Sequence, residues 1–131
     1  MLKTIATVSM VMLLSSAVPL SAQQAASPVK RTIIQRADIP GTKLELLYAL
    51  VEIPAGFKAG RHSHPGVVMF QVVEGDFWLA VDGQPEKVFH VGESATIAEG
   101  AVHNEGATDK ATKINVVYAV EKGKPLASPA N

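Results

Sequence analysis

Residues 67–83 read VVMFQVVEGDFWLAVDG. Two runs rich in Val, Phe and Trp, Val67–Val73 and Asp76–Val81, are separated by Glu74-Gly75 and closed by Asp82-Gly83. β-Branched and aromatic side chains pack well on a pleated surface. Asp-Gly between apolar runs supplies the positive backbone angles that a tight hairpin needs. Working outward, the same grammar recurs. Thr32–Arg36, Leu44–Ile53, Lys87–Val91, Ser94–Ile97 and Thr112–Val120 are short apolar runs, punctuated by Pro40-Gly41, Pro54-Ala55-Gly56 and Gly92. Leu44–Val51 alone has a length that suits a helix, but it lacks a cap and runs into Ile53-Pro54. Gly106–Lys110 reads as a polar loop. The pattern predicts an all-β chain, a sandwich or barrel of short antiparallel strands.

Composition narrows the chemistry. The chain has 131 residues, enough for one domain, with twelve basic and twelve acidic residues and no cysteine. Balanced charge argues against a nucleic-acid partner, and the lack of cysteine removes disulfides, thiolate catalysis and zinc-finger or iron–sulfur ligation. Residues 1–22 place Lys3 before an apolar run from Ile5 to Val18 and a small-residue exit at Ser21-Ala22. The run is short for a span of ~20 apolar residues, so it reads as a secretory signal cleaved after Ala22, with no membrane anchor thereafter. That implies a periplasmic or secreted protein. Removing those 22 residues from 131 leaves 109, with eleven basic and twelve acidic groups. Residues 23–31 read as a flexible leader, 32–121 as the barrel, and 122–131, with two prolines, as a C-terminal tail or strand-closing arm.

Histidine is the remaining strong ligand type, and there are four: His62, His64, His90 and His103. In Arg61-His62-Ser63-His64-Pro65-Gly66, positions i and i+2 of a strand share a face, so the two imidazoles can converge on one cation. In a helix the same spacing would separate them. A solvated surface pair is the bland alternative, and a third ligand has to come from a distant strand; His103 lies 39 residues beyond His64. His90, between Phe89 and Val91, is expected to face solvent if those two face the core. Glu99 and Glu105 flank His103 on what read as solvated turns, with a supporting or base role open to either. Arg61 is a candidate anchor for an anion, Gln71 an exterior residue, and Phe70, Phe77, Trp78 and Tyr118 core aromatics that could also line a pocket. Ser63 has no partner base for hydrolytic chemistry.

The spacing resembles the cupin superfamily, over about Leu44 to Val120. Gly56, His62, His64 and Gly75 fall in register with the family's first motif, and Gly92, Gly100 and His103 with its second. Val68 stands where the first motif has glutamate, Ala98 where the second has proline, and Ala107 where it has asparagine. The resemblance implies a double-stranded β-helix, or jelly-roll, fold. It also implies a metal site of His62, His64 and His103 holding a divalent ion (Fe, Mn, Ni, Cu or Zn), with the fourth ligand unassigned.

Two functions remain open on this reading. One is a metalloenzyme of dioxygenase or isomerase type acting on a small anionic or oxygen-rich molecule, with no catalytic residue assigned. The other is a non-catalytic module that binds a small molecule or metal. A homodimer, formed through the Thr32–Arg36 strand, is a third expectation.

Overall fold

The computed structural model describes residues 27–131; the expected signal segment lies outside the described residues. Strand alternation sets the architecture. In β4 (Gly66–Glu74) the residues Gly66, Val68, Phe70 and Val72 are buried while Val67, Met69, Gln71 and Val73 are exposed. β9 (Thr112–Glu121) repeats the pattern, burying Thr112, Ile114, Val116, Tyr118 and Val120. A period of two lets one face of each strand leave water.

The strands form two antiparallel five-stranded sheets. One has the order β1-β2-β9-β4-β7, with β1 at Lys30–Asp38, β2 at Leu44–Ile53 and β7 at Ser94–Ile97. The other has the order β10-β3-β8-β5-β6, with β3 at His62–Ser63, β5 at Phe77–Val81, β6 at Lys87–Phe89, β8 at His103–Ala107 and β10 at Ser128–Pro129. Phe77 and Phe89 of the second sheet meet Phe70 of the first, with the Phe70 ring 4.8 Å from Phe77 and 5.1 Å from Phe89. Both contacts are edge-on, the arrangement aromatic quadrupoles favour. This is the all-β jelly roll that the turn grammar and the resemblance predict.

Several elements depart from the sequence reading. Lys30 and Arg31, expected in the leader, belong to β1, where Lys30 pairs with Glu52 and Arg31 with Val51. Gly106 and Ala107, expected in a polar loop, belong to β8, which the apolar-run rule overlooked because HNEGA carries little hydrophobic signal. β8 forms because β5 supplies its full ladder, from Phe77–Ala107 to Val81–His103. Trp78 is not in the core: it is the outward neighbour of buried Phe77 and Leu79, half-buried, with Nε1 donating to the Ala107 carbonyl at 3.3 Å. β6 stops at Phe89, so Val91 is exposed. The C-terminal segment is an arm, in which Ser128 pairs with Ser63 and Pro129 with His62.

Gly106 shows how close the packing is. It faces Trp78 across the β5–β8 ladder and bridges to Lys58, and an added Cβ would run into the Phe57 carbonyl oxygen and lie 2.9 Å from the Trp78 indole nitrogen. The main obstacle is backbone, which cannot swing aside. Gly106→Ala is therefore expected to cost about 1–3 kcal/mol, as overpacking does. The check is a urea titration, in which the midpoint falls with an unchanged slope. An unmoved midpoint would show that the 54–60 loop is not seated on β8.

Candidate metal centre

Three elements bring the histidines together. Antiparallel pairing sets His62 of β3 directly opposite His103 of β8, a register that puts both side chains on one face. His64 follows two residues after His62 in the connection to β4. The ring centroids lie 4.2 Å apart for His62–His103, 5.0 Å for His62–His64 and 5.1 Å for His64–His103. Their candidate ligand nitrogens all fall within 4.8 Å of one another.

Each ring is fixed from behind. Nδ1 of His62 meets the Gly60 carbonyl at 2.8 Å, Nδ1 of His64 the Leu126 carbonyl at 2.6 Å, and Nδ1 of His103 the Ala101 carbonyl at 2.9 Å. A carbonyl only accepts, so each Nδ1 carries the proton, and in a neutral ring Nε2 presents a bare lone pair. His103 is fully buried, and its Nε2 has no hydrogen-bond partner. An orphaned lone pair at that depth costs free energy unless a cation or proton meets it.

Glu105 completes the cluster. Two residues beyond His103 on β8, it shares that histidine's face, with its carboxylate 3.5 Å from His103 Nε2 and 3.8 Å from His62 Nε2. Sequence reading put Glu105 on a solvated turn; once β8 exists, strand alternation makes the inward position automatic. Val68, at the family's glutamate position, is buried and lines the cavity. The carboxylate thus reaches the site from β8 and not from β4. Glu99 stays exposed in its turn, and Gln71 is exposed and donates to the Gly92 carbonyl.

The electrostatics follow. Burial pushes the Glu105 carboxyl up, but the close approach of His103 and the nearby imidazoles outweigh it, so the group lies below its ordinary value. Burial lowers His64 despite the Leu126 carbonyl and Glu105, keeping its ring neutral. For His103 burial also acts downward, but Glu105 and the Ala101 carbonyl prevail and the net shift is upward. An anion facing three lone pairs is a donor set for a cation.

His62, His64 and Glu105 line a cavity of about 380 Å³ inside the barrel, with His103 buried behind them. Its floor is apolar, with Val51, Phe70, Ile114 and Val116, and Arg31 and Tyr118 stand on one wall. Phe70, Phe77 and Tyr118 therefore serve both core and cavity. Asn104 Oδ1 accepts from the Gly60 and Glu105 amides, both at 2.9 Å, clamping the loop that delivers His62 to the strand that delivers His103. Arg61 is committed elsewhere, to Asp82 and to the Asn131 carbonyl.

Fold and cavity together define a small β-barrel protein with a three-histidine cluster facing its interior. The sequence profile of the cupin domain matches residues 49–118, and the chain belongs to the cupin superfamily. Solved structures agree on the fold. A cupin superfamily protein from Desulfitobacterium hafniense superposes with a TM-score of 0.61 at 12% identity, covering 79% of this chain and 90% of that one. A cupin-like protein from Thermotoga maritima gives 0.60 at 21%, with 79% and 74% covered. The DMSP lyase DddQ from Ruegeria pomeroyi gives 0.60 at 18%, covering 68% of this chain, which spans only 44% of the lyase's length. Among proteins of curated function, none matches the sequence.

His90 stands apart from the cluster. It is exposed, with Nδ1 2.6 Å from Asp76 Oδ1, and the Asp76 hydrogen bond and charge raise it above its ordinary value. A raised folded-state value means the pair contributes stability that is fully present below the unfolded value of ~6.5 and fades as pH rises through the folded one. NMR titration should show His90 titrating above ~6.5 and returning toward it in Asp76→Asn. Identical titrations in both proteins would contradict the pair.

Proposed function

We propose that the chain is a metal-dependent cupin, holding one divalent ion through Nε2 of His62, His64 and His103 and acting on a small organic molecule bound in the barrel. Glu105 supplies the carboxylate that Val68 does not. The observation that carries this reading is His103 Nε2, fully buried and without a partner, beside an ionised carboxylate and two further lone pairs. A proton on His103 would satisfy one nitrogen; a cation satisfies all three and Glu105 together. Three imidazoles and a carboxylate suit first-row ions such as iron, manganese, nickel, copper or zinc. When bound, such an ion supplies Lewis acidity and open positions for substrate, water or dioxygen.

The chain's own residues then divide the work. The Gly60, Leu126 and Ala101 carbonyls hold the ligand tautomers, the apolar floor excludes water, and ionised Glu105 lowers the positive charge that a substrate meets. Dioxygenase- or isomerase-type turnover fits this arrangement; a DMSP lyase and an oxalate oxidase share the fold. One observation favours a binding module instead: among the described residues Glu105 is the sole carboxylate lining the cavity, and as a ligand it leaves no free base. The apolar segment in residues 1–22 supports placing this site in the periplasm or outside the cell, and exposed Ile33 and Ile34 on β1 support a homodimer.

Full-length protein stripped with chelator should take up close to one equivalent of zinc or iron(II). At a free metal concentration ~100 times the dissociation constant, stability should rise by about 2.7 kcal/mol. His103→Ala should abolish uptake, and Glu105→Gln should weaken it by roughly 10–100-fold while the circular dichroism stays native. Wild-type protein that is folded, metal-free and indifferent to added metal would overturn the proposal.

A further inference from the structure

Arg31 is the one arginine among the described residues without a carboxylate. Arg36 pairs with Glu45 and Arg61 with Asp82, whereas Arg31 appears in no ion pair. Its Nε donates to the Tyr118 hydroxyl at 3.2 Å, and its guanidinium carbon lies 5.5 Å from the centre of the Tyr118 ring. That anchor is itself rigid: Tyr118 is buried, and its ring meets the His64 ring edge-on at 5.7 Å. A long cation on an exposed edge strand would ordinarily wave in water. Here a bond to a residue 87 positions away and the Tyr118 ring beneath it hold the guanidinium at the cavity wall, with neither Nη group bonded among the described residues. Among the described residues the one carboxylate lining the cavity, Glu105, is turned on the histidines.

We propose that the barrel takes a small amphipathic organic acid, its carboxylate read by the Nη edge of Arg31 and its apolar body lying on Val51, Phe70, Ile114 and Val116. The planar guanidinium fork matches a carboxylate in two parallel hydrogen bonds, which an ammonium cannot do. The apolar floor gives the acid a reason to enter beyond its charge, and a volume of about 380 Å³ sits at the small end of ligand pockets, ~300–1,000 Å³. The assignment deepens the metal-site reading, since the acid's remaining polar atoms would face the histidines; the Arg31 contact itself requires no metal.

The test is calorimetric titration of the zinc-loaded full-length protein with benzoate, benzyl alcohol and acetate. Benzoate should bind at least about tenfold more tightly than benzyl alcohol, which lacks the charge, or acetate, which lacks the apolar body. Arg31→Gln should bring benzoate down to the level of the alcohol, Arg31→Lys should fall between, and Arg36→Gln, on the same strand, should bind as wild type. Equal binding of benzoate and benzyl alcohol, or benzoate binding unchanged in Arg31→Gln, overturns the proposal. The same series on metal-free His62→Ala separates the two readings. A preference for benzoate that persists there and still depends on Arg31 supports the acid site. Failure of wild-type protein to retain zinc counts against the metal alone.

Discussion

Three main-chain carbonyls, those of Gly60, Ala101 and Leu126, decide what this barrel can do. By accepting the Nδ1 protons of His62, His103 and His64 they leave three lone pairs aimed inward. No side chain makes that choice, so the site depends on backbone placement and therefore on the fold around it. The β3–β8 pairing sets His62 against His103, the Asn104 bridge holds the 54–60 loop to β8, and the C-terminal arm carries Leu126 to His64.

The barrel separates its two jobs by strand alternation. Inward residues of β2, β4 and β9 make an apolar floor that also forms the hydrophobic core, so the same side chains pack the barrel and line its cavity. Charge enters at only a few positions. Glu105 meets the histidines from β8, and Arg31 reaches the wall from β1. A half-buried carboxylate is costly by itself; the three imidazoles beside it hold its carboxyl below the ordinary value, and the cluster has the donors that could hold a cation.

Much of this was legible in the sequence, for physical reasons. Val67–Val73 announces itself because alternation, β-branching and flanking glycines agree, and the resulting strand runs from Gly66 to Glu74. The His62–His64 pair is legible because a strand's period of two makes it a chelate, whereas His103 is legible only through the resemblance to the second cupin motif. Structure imposed from outside a segment leaves no trace in that segment's own pattern. His103–Ala107 has weak β character and becomes a strand because β5 pairs with it, so Glu105 was placed on a turn and its inward aim could not be read. Arg31 lay just upstream of the apolar run that marked the first strand, and only its ladder partner Val51 brings it to the cavity. The Leu126 carbonyl is a main-chain group, and side-chain patterns carry no trace of its role.

Which imidazole nitrogens carry the protons decides whether the cluster can hold a cation. Long-range proton–nitrogen correlation NMR of the full-length chain at neutral pH reports the state of each imidazole nitrogen directly. The expected result is Nδ1–H in His62, His64 and His103, with the three Nε2 resonances moving together on stoichiometric addition of zinc while His90 stays in place. Protonated Nε2 in His62 and His64, or a zinc titration that leaves the three Nε2 signals where they were, would contradict it.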